Sequence, residues 1–369
     1  VGDFEDVPTL GVEEEFLLTD PGTGAPAPRN AQVAETARRA GIDLQLELTR
    51  CQVETRTAVH SDIGELLAEL RTSRRGVADC AAEHDARLLA VAVPPTVPEG
   101  YPVTDTPRYQ RIAHTYGMLA HEQGLCGCHV HVAVPDRETA VQVSNHVRPW
   151  LPLLLALTAN SAIYRGTETG YVSWRNIMWR RWPSAGPPPY FASLAQYESL
   201  VAMMHASGSI LDKKMVYWDV RLSESFPTVE IRVSDIPATA EESALLAALI
   251  RGMVTTGLRS IAQNEPAPPV PGEMLHAAYW NAAHSGLDGN GLHPVRGSVV
   301  PYRDLLAELV DRIEPALRHS GDLAFVTDAI AAVGKRGNGA QRQVVAMRAR
   351  RDVTDVVAEL ARATLEGCP

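Results

Sequence analysis

The stretch Cys126-Gly127-Cys128-His129-Val130-His131-Val132 puts two thiols and two imidazoles within seven residues, the composition of a soft-metal or redox site. Extended backbone, however, sends alternate side chains to opposite faces. Cys126 and Cys128 then fall with Val130, Val132 and Val134 on an apolar face, while His129 and His131 share the other with Gly127 and Ala133. A regular strand therefore separates thiols from imidazoles. Three further segments have a similar design: LGVEEEFLL sets Glu13 and Glu15 on one face, CQVETRT groups Gln52, Glu54 and Arg56, and PTVEIRVSD sets Glu230 and Arg232 opposite Val229, Ile231 and Val233. Glu47 lies seven residues before Glu54, out of phase, and joins it only across a bulge or turn. Any single strand of this kind reads as the solvated face of a one-sided sheet. Four of them gather carboxylates that repel one another unless cations lie between. Oxygen-rich donors with an occasional imidazole suit Mg²⁺ or Mn²⁺, ions that bridge phosphates. The chemistry indicated is nucleotide-dependent.

These residues need elements to hold them. A strand over residues 9–19 ends at a Pro-Gly turn, a helix over 30–40 stops at Gly41, and residues 42–59 read as one long extended stretch. A long helix follows, N-capped by Ser61, then a strand RLLAVAVPP and a Pro-rich surface loop over 94–108. Residues 109–123 read as a helix, 125–134 as the histidine strand, and 137–162 as two helices broken at Pro149. Residues 164–190 form a long aromatic and basic loop, and residues 166–190 of it are a candidate lid carrying Trp174, Trp179 and Trp182, which could equally pack it down or meet a second subunit. A helix at 192–207, two strands joined by a turn at 215–238 and a mostly helical remainder complete the chain. Strands with polar faces predict an α+β fold with a mostly antiparallel sheet and helices on one side, in a single domain over 1–369.

The bulk properties narrow the function. With 45% hydrophobic and 21% charged residues among 369, the chain reads as globular, with a core large enough to need no staples. A net charge of -10 argues against nucleic acid as the main partner. The odd set Cys51, Cys80, Cys126, Cys128 and Cys368 suggests free thiols in a reducing cytoplasm. No signal peptide is visible, and the apolar run WLPLLLALTANSAI is interrupted by Pro152, so neither secretion nor a membrane is expected. Walker-type and dinucleotide-type glycine loops and a G-x-S-x-G elbow are absent. GKRGNGAQRQ, residues 334–343, reads either as a phosphate contact or as a surface loop before a helix.

In order along the chain, GVEEEF, ELTRCQVET, GCHVHV, LTANSAIYRG, SWRN and TVEIRVSD resemble the glutamate–cysteine ligase superfamily, and more closely its bacterial carboxylate–amine ligase (type 2) branch. The likeness covers residues 9–345. It implies a glutamine synthetase-like fold, a curved antiparallel sheet forming an active-site funnel with helices outside. It implies an ATP-dependent enzyme that uses Mg²⁺ or Mn²⁺ to phosphorylate a carboxylate, which an amine then attacks. By motif, the implied metal ligands are Glu13, Glu15, Glu54, His129 and Glu230, with Glu47 in addition. Arg232 is implied to face substrate or phosphate, and Arg175 to read a substrate carboxylate. His131 receives no role, and Asn160 reads as structural. Glutamate and cysteine are the simplest substrates. A specialised-metabolite ligase with another carboxylate or amine, a non-catalytic nucleotide binder and, more remotely, a metallohydrolase remain as alternatives. The length and exposed helices are compatible with a homodimer.

Overall fold

A computed structural model describes residues 7–97 and 100–369. Strand β1 (Leu10–Thr19) is followed by helix α1 (Asn30–Arg39), strands β2 (Leu44–Leu46) and β3 (Gln52–Arg56), helix α2 (Ile63–Ala82) and strand β4 (Arg87–Leu89). Helices α3 (Pro107–Tyr116) and α4 (Met118–His121) lead into β5 (Gly127–Ala133), with α5 (Arg137–Val147) and α6 (Leu151–Thr158) behind it. The hairpin of β6 (Ile163–Tyr164) and β7 (Thr167–Glu168), then α7 (Trp174–Trp179) and α8 (Leu194–Ala206), precede β8 (Val220–Leu222) and β9 (Thr228–Asp235). After them come α9 (Ala240–Ala262), α10 (Gly272–Ser285), a hairpin of β10 (Asn290–Leu292) and β11 (Val299–Pro301), and α11 (Tyr302–Ser320), α12 (Leu323–Arg336), α13 (Gly339–Arg350) and α14 (Val353–Thr364).

The main sheet runs β2-β3-β1-β5-β9-β8, and β4 pairs with the far end of β1. Every pairing in it is antiparallel. This is the mixed, mainly antiparallel architecture with surrounding helices that the polar-faced strands predicted. The apolar faces of β1, β5 and β9 (Leu10, Val12, Cys128, Val130, Val132, Val229, Ile231 and Val233) pack in one core with Leu245, Leu246 and Leu249 of α9. Each such fully buried side chain contributes about 1.5–3 kcal/mol. Helix α9 is long and apolar enough to cross a membrane, but here it is a mostly buried core helix, packed against α2, α5, α11 and α12. Thr239 caps its start by accepting a hydrogen bond from the Glu242 amide.

One polar residue breaks the apolar face of β1. Glu14 is buried, and its carboxylate meets Arg74 of α2 at 2.5 and 3.1 Å. Ser243 of α9 donates a further bond to it at 2.6 Å. The same guanidinium donates to the carbonyls of Pro237 (3.1 Å), Ala238 (3.0 Å) and Thr364 (3.3 Å). A buried charge survives only when paired and hydrogen-bonded in this way.

Several boundaries differ from those read in the sequence. Residues 42–59 are not one extended stretch, because a turn between β2 and β3 folds the segment back on itself. The cap of α2 is Asp62, which accepts from the Glu65 amide, rather than Ser61. Gly117, at φ 55°, divides the helix expected over 109–123. The Pro-rich segment is only partly a surface loop: Thr96, Tyr101 and Thr104 are buried, and residues 98–99 lie outside the described residues. Cys126 and Cys128 do not share a packing environment. Cys128 packs with Val130 and Val132, whereas Cys126 lies just before β5 in the core around Phe16 and Val53. All five cysteines are free.

The segment 164–190 is also not a free loop. It contains α7, and Trp182 is buried against Tyr116 (5.1 Å between ring centres) and Tyr217 (5.5 Å). Trp179 packs on Tyr217 at 4.8 Å, and Trp174 on Tyr171 at 5.4 Å. The tryptophans pack the segment down instead of capping a lid. The GKRGNGAQRQ segment forms the junction of α12 and α13, where Asn338 and Gln341 make a capping box.

Candidate active site

Register across the sheet decides which polar residues meet. Residues directly opposite in antiparallel strands have neighbouring side chains on one face. Glu54 lies opposite Gln45 on one side and Glu15 on the other. Glu13 stands between Arg56 and His129, and Glu230 between His131 and Arg221. Between Cys128 and Val130 the β5–β9 register slips, so that Arg232 and Val233 together face His129. Such a bulge re-aims the side chains around it. Here it brings Arg232 Nη1 to 3.2 Å from His129 Nδ1 and into contact with Glu230. Glu47 enters through the turn after β2.

These residues line one cleft of about 360 Å³ that opens to solvent. Glu13, Glu15, Glu47, Glu54, His129, Glu230 and Arg232 all border it. Arg175 is placed differently. It is buried on α7, with Nη1 3.9 Å from Asp235 and its guanidinium over the Trp179 ring, packed against Gly127 beside His129 instead of lining the open cleft. Asp235 fixes α7 from the end of β9. It accepts bonds from the Asn160 amide (2.8 Å), Ser161 Oγ (2.6 Å) and Ser173 Oγ (2.8 Å), and Ser173 caps α7. Asn160 is structural, tying Ala90 and Ile236 to Gln343 of α13.

Electrostatics divide the carboxylates into two groups. Burial opposes ionisation of Glu13, but the hydrogen bond from His129 and the adjoining His131 ring outweigh it and hold the carboxyl far below its usual range. Burial likewise opposes ionisation of Glu230, where Arg221 (2.8 and 3.1 Å) and Arg232 prevail. Burial and then the Glu15 charge push Glu47 up to about 7. Burial and then the Glu47 charge raise Glu54 well above its ordinary value, despite Arg56 at 2.8 Å. Burial and the Arg232 charge hold His129 low, so the imidazole is neutral and free to coordinate.

This donor set fits a divalent cation. Glu15 and Glu54 are placed directly opposite each other, an arrangement that repels without positive charge between them. His129 Nε2 is buried with no hydrogen-bond partner. Ligand atoms of Glu13, Glu54 and His129, and of Glu15, Glu47 and Glu54, lie within 4.8 Å of one another in each group. A carboxylate-rich set with one imidazole is the chemistry of Mg²⁺ or Mn²⁺.

Sequence reading did not single out Arg221, Arg108, Lys214, Tyr109 or Tyr217, which also line the cleft. It placed Arg56 on the polar strand face but gave it no role. Arg221 alternates with the buried Val220 and Leu222, yet its partner Glu230 emerges only from the β8–β9 register.

Comparison with known proteins gives the family and the fold. The family described as glutamate-cysteine ligase family 2 (GCS2) matches residues 9–359. The chain is 66% identical over 363 residues to "putative glutamate–cysteine ligase 2-1" of Nocardia farcinica, covering 98% of this chain and 95% of that protein. It is 57% identical over 362 residues to the correspondingly named 2-2 protein of Mycolicibacterium vanbaalenii, covering 98% and 99%. In fold it is similar to the glutamate–cysteine ligase of Francisella tularensis in complex with AMP, with a TM-score of 0.71 at 14% identity over 99% of this chain and 90% of that one. It also matches the ligase PafA in complex with the ubiquitin-like protein Pup, with a TM-score of 0.52 at 11% identity over 96% and 72%.

Proposed function

The chain belongs to glutamate–cysteine ligase family 2, and from that premise we propose an ATP-dependent carboxylate–amine ligase whose simplest substrates are glutamate and cysteine. The observation that carries the reading is the convergence of Glu13, Glu15, Glu47, Glu54, His129 and Glu230 with Arg232 in one cleft. Bound Mg²⁺ or Mn²⁺ would neutralise the nucleotide phosphates there. Arg232 would meet the γ-phosphoryl group as it passes from the nucleotide to the carboxylate being activated, with ADP as the leaving group. Arg175, beside His129, would pair with a substrate carboxylate through its planar donors. The wall of Tyr109, Trp179, Trp182 and Tyr217 would keep water from the acyl phosphate until the amine attacks.

A second reading, another amine in place of cysteine, is favoured by that same aromatic wall, which suits a larger apolar side chain than a thiol. ADP release measured with Mg²⁺-ATP, glutamate and a panel of amines distinguishes the two. No stimulation by any carboxylate–amine pair would sink the ligase reading. Glu230→Gln and His129→Ala are expected to abolish turnover while the protein stays folded by circular dichroism.

A further inference from the structure

We propose that His131 is a second imidazole ligand, completing a cation position with Glu13 and Glu230 that favours Mn²⁺ over Mg²⁺. The proposal rests on the metal-dependent reading above. His131 projects from β5 onto the cleft face, opposite Glu230. Its Nδ1 lies 3.0 Å from Thr228 Oγ1, and the Phe226 ring stands nearly perpendicular to it at 6.1 Å between centres. Those two contacts fix the ring plane. With Nδ1–H donated to Thr228, Nε2 presents a lone pair into the cleft, 3.6 Å from Glu13 Oε1. This nitrogen is buried and has no hydrogen-bond partner. In that tautomer the lone pair faces carboxylate oxygens, an arrangement that repels unless a cation sits among them.

The geometry suits one ion. Donor atoms of Glu13, His131 and Glu230 lie within 4.8 Å of one another. Adjacent ligands of a six-coordinate ion at about 2.1 Å are about 3 Å apart, so the 3.6 Å separation closes with a small contraction. Thr228 would then be the outer partner that orients a ligating histidine. Glu13 belongs also to the group with Glu54 and His129, so one carboxylate would bridge two cation positions, each with its own imidazole. Mg²⁺ prefers oxygen, whereas Mn²⁺ accepts imidazole more readily.

The test is binding of Mn²⁺ to the full chain without nucleotide, followed by the electron paramagnetic resonance of free Mn²⁺ and by ¹⁴N modulation of the bound ion. His129→Ala should keep a nitrogen signal, supplied by His131, and His129→Ala/His131→Asn should lose it. His131→Asn alone should weaken Mn²⁺ binding at one position about tenfold, while Mg²⁺ competition at that position changes less than the Mn²⁺ affinity. Thr228→Val, a milder change that leaves the imidazole in place, should weaken Mn²⁺ by a smaller factor and serves if His131→Asn does not fold. Manganese binding by His129→Ala with no nitrogen signal, or unchanged affinity in His131→Asn, would overturn the proposal and leave the ligase reading standing. Failure of the wild-type chain to bind Mn²⁺ would overturn both.

Discussion

Gly127 is where a single methyl group should silence the site. A Cβ built there lies 2.4 Å from Arg175 Nη2, 3.1 Å from Cζ and 3.3 Å from His129 Nε2. Ordinary contact is about 3.5 Å, so the Gly127→Ala methyl requires the guanidinium to retreat by about 1 Å. It has little room, being buried between Asp235 and the Trp179 ring. Overpacking of this kind costs about 1–3 kcal/mol, which a small shift of one flexible side chain keeps near the lower end. Misplacing a substrate-orienting group by 1 Å costs on the order of 100-fold in rate. The expected result is therefore a well-folded variant with ADP release reduced roughly 10- to 100-fold, felt mainly in kcat and in KM for the carboxylate, with KM for ATP little changed. Gly272→Ala, where the added Cβ meets nothing within 4 Å, is the control and should be silent. Turnover of Gly127→Ala within about twofold of wild type would refute the placement of Arg175 behind this glycine.

Three further outcomes follow from buried charges. Arg74→Met leaves Glu14 unpaired among apolar residues, so urea denaturation should show a loss of about 3–5 kcal/mol, largely recovered when Glu14→Leu is added. Burial raises Asp219 to about 6, with Tyr279 and then Arg175 pulling against it. A carboxyl whose pKa is raised in the folded state stabilises fully below its unfolded value of 3.8 and loses that contribution as pH rises through 6. The urea midpoint of wild type relative to Asp219→Asn should fall between pH 4 and 7 by the equivalent of about 2 kcal/mol; parallel profiles would contradict this. Asp235→Ala removes the acceptor shared by Asn160, Ser161 and Ser173. It should cost about 3 kcal/mol and release α7, seen as faster amide exchange at residues 173–180.

Strand alternation alone placed Glu13, Glu15, Glu54, Glu230 and Arg232 on polar faces, because a period of two survives in any regular strand. It could not supply the register. Whether Glu15 meets Glu54 or Gln52 depends on pairing between segments far apart in sequence, and the slip that sets Arg232 against His129 leaves no local mark. Glu47 was visible only as a residue out of phase, since turns carry no period. Helix α7 is not legible in the sequence because six residues are too few to display helical periodicity, and Trp179 and the following Trp182 find their partners, Tyr217 and Tyr116, only in the folded chain. The same limit explains Cys126: alternation assigned it to the valine face, but β5 begins one residue later.

The triple glutamate of β1 faces two ways, and this has a consequence for the order in which the protein is made. Glu13 and Glu15 look into the cleft, while Glu14 is tied through Arg74 to the carbonyl of Thr364, whose own hydroxyl accepts from the Ala90 amide. Arg74 and Thr364 are 290 residues apart. A ribosome thus releases the glutamates of the first strand long before the segment that fastens them has been translated. During that interval the nascent chain exposes a half-built acidic sheet edge without its final anchor. Completion of the last helix, not synthesis of the site residues, marks the moment at which β1 acquires its full set of buried bonds.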